Sequence, residues 1–301
     1  MIETAGSAPM SRRGLALFAA MSIIWGIPYL LIKVALYDLT PSFIVFARTA
    51  IAALVLLPLA ARRGLVRPAL VHWRPLAAFA VLEIAVPWFL VGDAERHMPS
   101  SLAGLLIATV PLIGALVAWR LGDSTAVTGG RLIGMIMGLV GVAAVVGLDL
   151  GSGTSLVAVA EIMLVSVGYA TAPIIATRHL AEVPALAVIA VSLTAVAIVY
   201  SPAAVLARPH SMPAANVLAS VLTLALVCTA TAFLLFFALI SEIGPVRATV
   251  ITFVNPAVAV TLGIVVLGES FTAGIAIGFP LVLLGSWLAT RRPEPAVTQA
   301  R

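Results

Sequence analysis

Ten stretches of roughly twenty mostly apolar residues follow one another along the chain. They run near 14–34, 41–60, 75–92, 99–120, 130–148, 155–177, 184–205, 216–240, 245–267 and 271–290. A helix needs about 20 such residues to cross the hydrocarbon of a bilayer. The pattern therefore predicts an all-α polytopic membrane protein with ten transmembrane helices. Composition agrees: 62% of the 301 residues are apolar and only 10% are charged, against about a quarter charged in soluble domains. A soluble core cannot absorb so much apolar surface without large sticky patches. These numbers exclude a soluble enzyme, a disordered chain and a nucleic-acid reader. Breaks fall at turn and charge signals such as Asp38-Leu39-Thr40-Pro41, Arg62-Arg63-Gly64, Gly151-Ser152-Gly153 and Arg208-Pro209-His210. The loops leave no room for a soluble domain. The first run ends in Lys33 without a small-residue cleavage site, so it is read as a retained helix rather than a signal peptide.

The basic residues report orientation. With ten spans, Arg12, Arg13, Arg62, Arg63, Arg67, Arg74, Arg120, Arg131, Arg178, Arg247, Arg291, Arg292 and Arg301 share one side. Lys33, Arg96 and Arg208 share the other, and Arg48 lies inside a span. Cytoplasmic loops carry the excess of Lys and Arg. The reading is a plasma-membrane or inner-membrane protein with both termini cytoplasmic. The alternation also supports ten spans, because a missed one would scramble it.

The two halves resemble each other. Ala108-Thr109-Val110-Pro111, Gly122-Asp123, Gly134 and Gly141 recur as Phe253-Val254-Asn255-Pro256, Gly268-Glu269, Gly278 and Gly285, at offsets of 144 to 146 residues. Pro41 and Pro184 open corresponding spans, as do Pro99 and Pro245, and Trp25-Gly26 matches Tyr169-Ala170. Five spans per half force the second copy upside down relative to the first. The expected domains are two inverted five-helix repeats, 14–148 and 155–290. Inverted repeats about a midplane site are a recurring transporter architecture.

The chain resembles the drug/metabolite transporter superfamily, specifically its ten-helix EamA-like transporters, over about residues 14–290. The matching positions are Trp25-Gly26, Arg48, Ala108 to Pro111, Gly122-Asp123, Asn255-Pro256, Gly268-Glu269 and the glycines of the last helix. Two positions depart from the pattern. Asp123 stands where Glu is usual, and Gly168-Tyr169 opens the second half where an aromatic such as Trp is common. The resemblance implies two five-helix bundles around a central cavity, exporting small metabolites or drugs by alternating access, with exchange or proton coupling. It is compatible with a monomer.

Charge within hydrocarbon is costly and is by default a functional hypothesis. Three ionisable residues sit well inside spans: Arg48, Glu83 and Glu161. At ~1.5 Å per residue they lie roughly 9–14 Å below the outer surface, which allows one base and two acids to cluster. Arg48 suits a substrate carboxylate or phosphate, or an acid when the site is empty. Glu83 and Glu161 are candidate carriers of a coupling proton. The competing reading is a structural Arg–Glu pair. Trp25 and Tyr29 share a helix face, and Tyr169 holds the corresponding place on the stripe Glu161–Val165–Tyr169; these aromatics are expected to line a cavity. Trp88 and Trp119, near helix ends, and Trp73 and Trp287 read as interfacial. Asn255, before Pro256, either contacts substrate or ties two helices. The spacings Gly130–Gly134–Gly138 and Gly274–Gly278 are expected to mediate close helix packing.

Other chemistries lack their residues. His72, His97, His179 and His210 are scattered at loops and helix ends, with no metal-ligand spacing. Neither a P-loop nor a G-x-S-x-G motif occurs. The single cysteine, Cys228, excludes a disulfide framework and reads as a small hydrophobe in the eighth span. No cofactor, metal or nucleic-acid partner is expected, only a small-molecule substrate and the lipid bilayer. An integral membrane enzyme acting on lipid head groups, and a non-transporting membrane sensor or subunit, remain the alternatives.

Overall fold

The computed structural model describes residues 10–122, 129–149, 154–244, 248 and 250–290. Asp123, Pro245, Arg247, Arg291, Arg292, Arg301 and the Gly151-Ser152-Gly153 break lie outside the described residues. Among the described residues, ten apolar helical segments form the fold. They are α1 (Arg12–Ala35), α2 (Pro41–Arg62), α3 (Trp73–Ala94), α4 (Ser100–Arg120), α5 (Gly130–Leu148), α6 (Leu156–His179), α7 (Ala185–Leu206), α8 (Ala215–Ile243), α9 (Ile251–Leu267) and α10 (Ala273–Thr290). Nine are long and apolar enough to cross a membrane, and α9 is shorter, at 17 residues. Their outward faces are apolar, for example Leu54 and Val55 on α2 and Ile198 and Val199 on α7, as lipid contact requires.

Packing follows the internal repeat. Helix α2 packs on α7, α4 on α9 and α5 on α10, each helix against its own counterpart in the other half. The remaining pairs, α3 with α6 and α8 with α1, are equivalent to each other under the same exchange. The α5–α10 contact is backbone to backbone. A Cβ at Gly134 would stand 2.5 Å from the Ala289 amide nitrogen and 2.6 Å from the Gly285 carbonyl oxygen. The small-residue spacing on these two helices is thus a packing seam.

Several helices are interrupted near their middles. Helix α1 breaks between Ile24 and Pro28, and α4 breaks at Ala108-Thr109, just before Pro111. Proline removes a ladder hydrogen bond, so the freed groups need partners. Ser286 of α10 donates to the Ala108 carbonyl at 2.6 Å, and the Thr109 and Ser166 hydroxyls are 3.2 Å apart. Helices α3 and α8 each carry a π-turn, Val81–Ala85 and Leu226–Thr231.

The two ends of the bundle differ. At the Arg-poor end the corners are knitted together. Glu269 accepts from the Ser100 and Ser101 amides at 2.7 and 2.9 Å, Asp38 from the Ala214 amide at 2.7 Å, and the His97 carbonyl from Ser155 at 3.1 Å. At the Arg-rich end, Glu242 of α8 accepts from the Ser11 hydroxyl at 2.6 Å and lies 3.8 Å from Arg13.

Candidate functional site

The two π-turns build the site. A π-turn inserts one residue into a helix, leaves carbonyls unpaired and often marks a functional site. In α8 the Thr229 hydroxyl fills the gap, donating 2.8 Å to the Leu224 carbonyl five residues earlier. The same oxygen accepts from Arg48 Nε at 2.7 Å. Arg48 reaches it from α2, where it is only 7% exposed. Its guanidinium carbon lies 3.6 Å from the Trp88 ring centroid, a stacked cation–π contact of the kind planar guanidinium favours. In α3 the Ala85 carbonyl, at the end of the π-turn, accepts from the Tyr200 hydroxyl at 2.9 Å, and the turn carries Glu83. Helix α6 presses Gly168 against the Leu82 carbonyl, where any Cβ would collide. That approach sets Tyr169 beside the first π-turn.

These side chains surround one cavity of about 300 Å³ between the two halves. Arg48, Glu83, Tyr29, Tyr169 and Trp25 line it, with Trp88, Cys228, Phe233, Phe236 and Asn255. Trp25 packs on Phe236 and Phe233, with ring centroids 4.7 and 5.9 Å away. The cavity therefore offers one buried guanidinium, one carboxyl and a wall of aromatic rings. Oxygen Oε2 of Glu83 is buried without a hydrogen-bond partner. Among the described residues no ion pair joins Arg48 to Glu83; the guanidinium is held by Thr229 and Trp88 instead.

Two other expectations are corrected by the geometry. Glu161 does not join the cavity. Helix α6 starts at Leu156, so Glu161 stands little more than one turn from the Arg-poor end and faces Asp93 and His97. Glu83 stands eleven residues from the end of α3 at Ala94, so the two carboxyls lie at different depths. Trp88 is not an interfacial belt residue but the platform under Arg48. Trp73, Trp119 and Trp287 are exposed, as a belt requires.

Asn255 ties two helices, one of the two roles weighed for it. It lines the cavity, and with its amide nitrogen turned toward the carbonyls it donates to Ser22 and Ile251 at 2.9 Å each, tying α9 to α1. Thr229, Trp88 and the cavity position of Cys228 were missed, although the repeat offset pairs the last two with cavity residues. Cys228 stands 145 residues after Glu83, and Phe233 stands 145 after Trp88.

Comparison with known proteins agrees with this architecture. The EamA-like transporter family pattern matches the chain twice, over residues 12–147 and 156–291. A protein of Escherichia coli strain K12 named as an uncharacterized inner membrane transporter, YedA, is 29% identical over 298 residues, covering 93% of this chain and 94% of its own. An uncharacterized transporter of Bacillus subtilis strain 168, YvbV, is 24% identical over 289 residues, covering 95% and 94%. A protein of known crystal structure superposes with a TM-score of 0.64 at 20% identity, over 92% of this chain and 96% of that one; that likeness speaks to the fold alone. Two family matches, full-length transporter relatives and ten helical segments lead to one conclusion: the chain is a multi-pass membrane protein that belongs to the EamA-like transporter family.

Proposed function

We propose that this protein is a secondary transporter exporting a small polar metabolite or amphipathic drug by alternating access of its two halves around the central cavity. One observation carries the reading: a guanidinium and a carboxyl buried in a single aromatic-walled cavity between the halves. Isolated charge in hydrocarbon is expensive and is kept where it contacts cargo or ions. Arg48 binds an anionic group of the solute, and the rings of Trp25, Tyr29 and Tyr169 take its apolar part. Glu83, with an unpartnered oxygen, carries a coupling proton. The basic bias sets the Arg-rich end in the cytoplasm, together with both termini.

The test begins with a thermal-shift screen of amino acids, sugars, nucleotides and cationic drugs on the purified protein. Flux of the best stabiliser is then followed in proteoliposomes under an imposed pH gradient. Glu83→Gln is expected to abolish proton-linked flux while expression and melting temperature hold. Unchanged flux with unchanged pH dependence would remove Glu83 from the mechanism.

A further inference from the structure

Glu95 follows α3 at the Arg-poor end, one residue past the span. By position it is an ordinary helix-end charge. Yet it is 0% exposed, and neither carboxyl oxygen has a hydrogen-bond partner. A cation stands beside it without pairing. The Lys33 ammonium donates to the backbone carbonyls of Glu95 and of Met98, the latter at 2.9 Å, rather than to the carboxylate. Glu269 is committed to the Ser100 and Ser101 amides. Tyr29, on the cavity wall, is within electrostatic reach from the other side. On the segment that carries Glu95, Asp93 and Arg96 pair with each other at 3.1 Å, and the His97 carbonyl takes Ser155.

An ionised carboxylate left unpaired in such a place is strongly disfavoured, because burial strips its hydration without supplying a partner. A protonated one costs far less. Burial pushes the Glu95 carboxyl well above its ordinary range; Lys33 opposes this and Glu269 adds to it. Glu95 also sits at a boundary. Tyr29 belongs to the central cavity, whereas Lys33 and Glu269 line a vestibule of about 660 Å³ with Arg96, His97 and Thr154.

We infer that Glu95 is a proton-binding gate residue, protonated in the closed arrangement of the Arg-poor end and ionised when that end opens. The inference rests on the alternating-access reading above. The exchange is simple: on opening, the carboxyl gives its proton to vestibule water and the carboxylate meets the Lys33 ammonium; on closing, it takes one proton back. The sign follows from linkage. The closed form binds the proton, so closure is favoured as pH falls. Above the ordinary Glu range near ~4.3, rising pH favours opening by up to about tenfold per pH unit, until Glu95 ionises while still closed.

The full chain is reconstituted with a thiol reporter in the vestibule, Thr154→Cys, or on the cavity wall toward the Arg-rich end, Val110→Cys. The parent, whose single thiol Cys228 is buried, serves as blank. Maleimide labelling is followed from pH 5 to 8, each rate divided by that of the denatured chain at the same pH. The vestibule reporter is expected to label faster, and the cavity reporter slower, as pH rises. Glu95→Gln holds the vestibule reporter slow at every pH. Lys33→Gln, which leaves Glu95 in place, moves the response to higher pH. Reciprocal movement that persists unchanged in Glu95→Gln, or a midpoint unmoved in Lys33→Gln, overturns the inference while leaving alternating access standing. Reporters that never move reciprocally overturn both.

Discussion

Arg48 illustrates how one residue organises the site. Its Nε is bonded to Thr229 and its flat face covers Trp88; in the function proposed above, the rest of the guanidinium meets cargo. Thr229→Val removes the acceptor for Arg48 and the donor for Leu224 together, leaving buried polar groups unpaired. The expected cost is about 1–3 kcal/mol of stability, seen as a lower melting temperature. Arg48→Lys keeps the charge but loses the fork and the stacking. Its KM for an anionic solute is expected to rise about tenfold, the size of one cation–π contact; an unchanged KM would show that Arg48 does not touch cargo.

Legibility at this scale tracked how unusual each residue is in hydrocarbon. A charge there is conspicuous, so Arg48 and Glu83 stood out from sequence. Glu161 is just as conspicuous, but a few residues of uncertainty in where its helix starts decide between midplane and edge. Glu95 was invisible for the opposite reason: it occupies an ordinary helix end, and only folding buries it.

Helices were the most legible elements, since long apolar runs and their breaks leave little freedom. What periodicity cannot show is a π-turn. Val81–Ala85 and Leu226–Thr231 contain no proline, and their extra residue becomes visible only in the folded backbone, where in α8 the Thr229 hydroxyl bonds the Leu224 carbonyl. The glycine seam was legible, and it is directly testable. Gly285→Val would drive a side chain into the backbone of α5, where even a Cβ would stand 2.6 Å from the Gly134 carbonyl oxygen. Overpacking of this kind costs typically about 1–3 kcal/mol, enough to lower the melting temperature clearly. Gly114→Val meets open space and is expected to stay within about 0.5 kcal/mol of the parent. Equal effects of the two would argue against the close α5–α10 contact.

In the whole molecule, the helix pairs across the halves follow one two-fold exchange, which suits the alternating access proposed above. The Arg-poor end is held by the Glu269 and Asp38 contacts. Loosening them is expected to shift the balance toward opening there. Asp38→Ala, which frees the Ala214 amide, should speed labelling of Thr154→Cys and slow that of Val110→Cys. Equal rates before and after would mean that this contact does not hold the end shut.

In the proposed function, solute bound at Arg48 and Glu83 is carried across by alternating exposure of one cavity. Counterflow tests it most directly. Proteoliposomes are loaded with an excess of the unlabelled compound found by thermal shift and diluted into a trace of the labelled form, with no ion gradient. Transient accumulation of label above equilibrium is expected, abolished by Arg48→Ala in protein that still melts cooperatively. Label that only equilibrates, or accumulation undisturbed by Arg48→Ala, would contradict it.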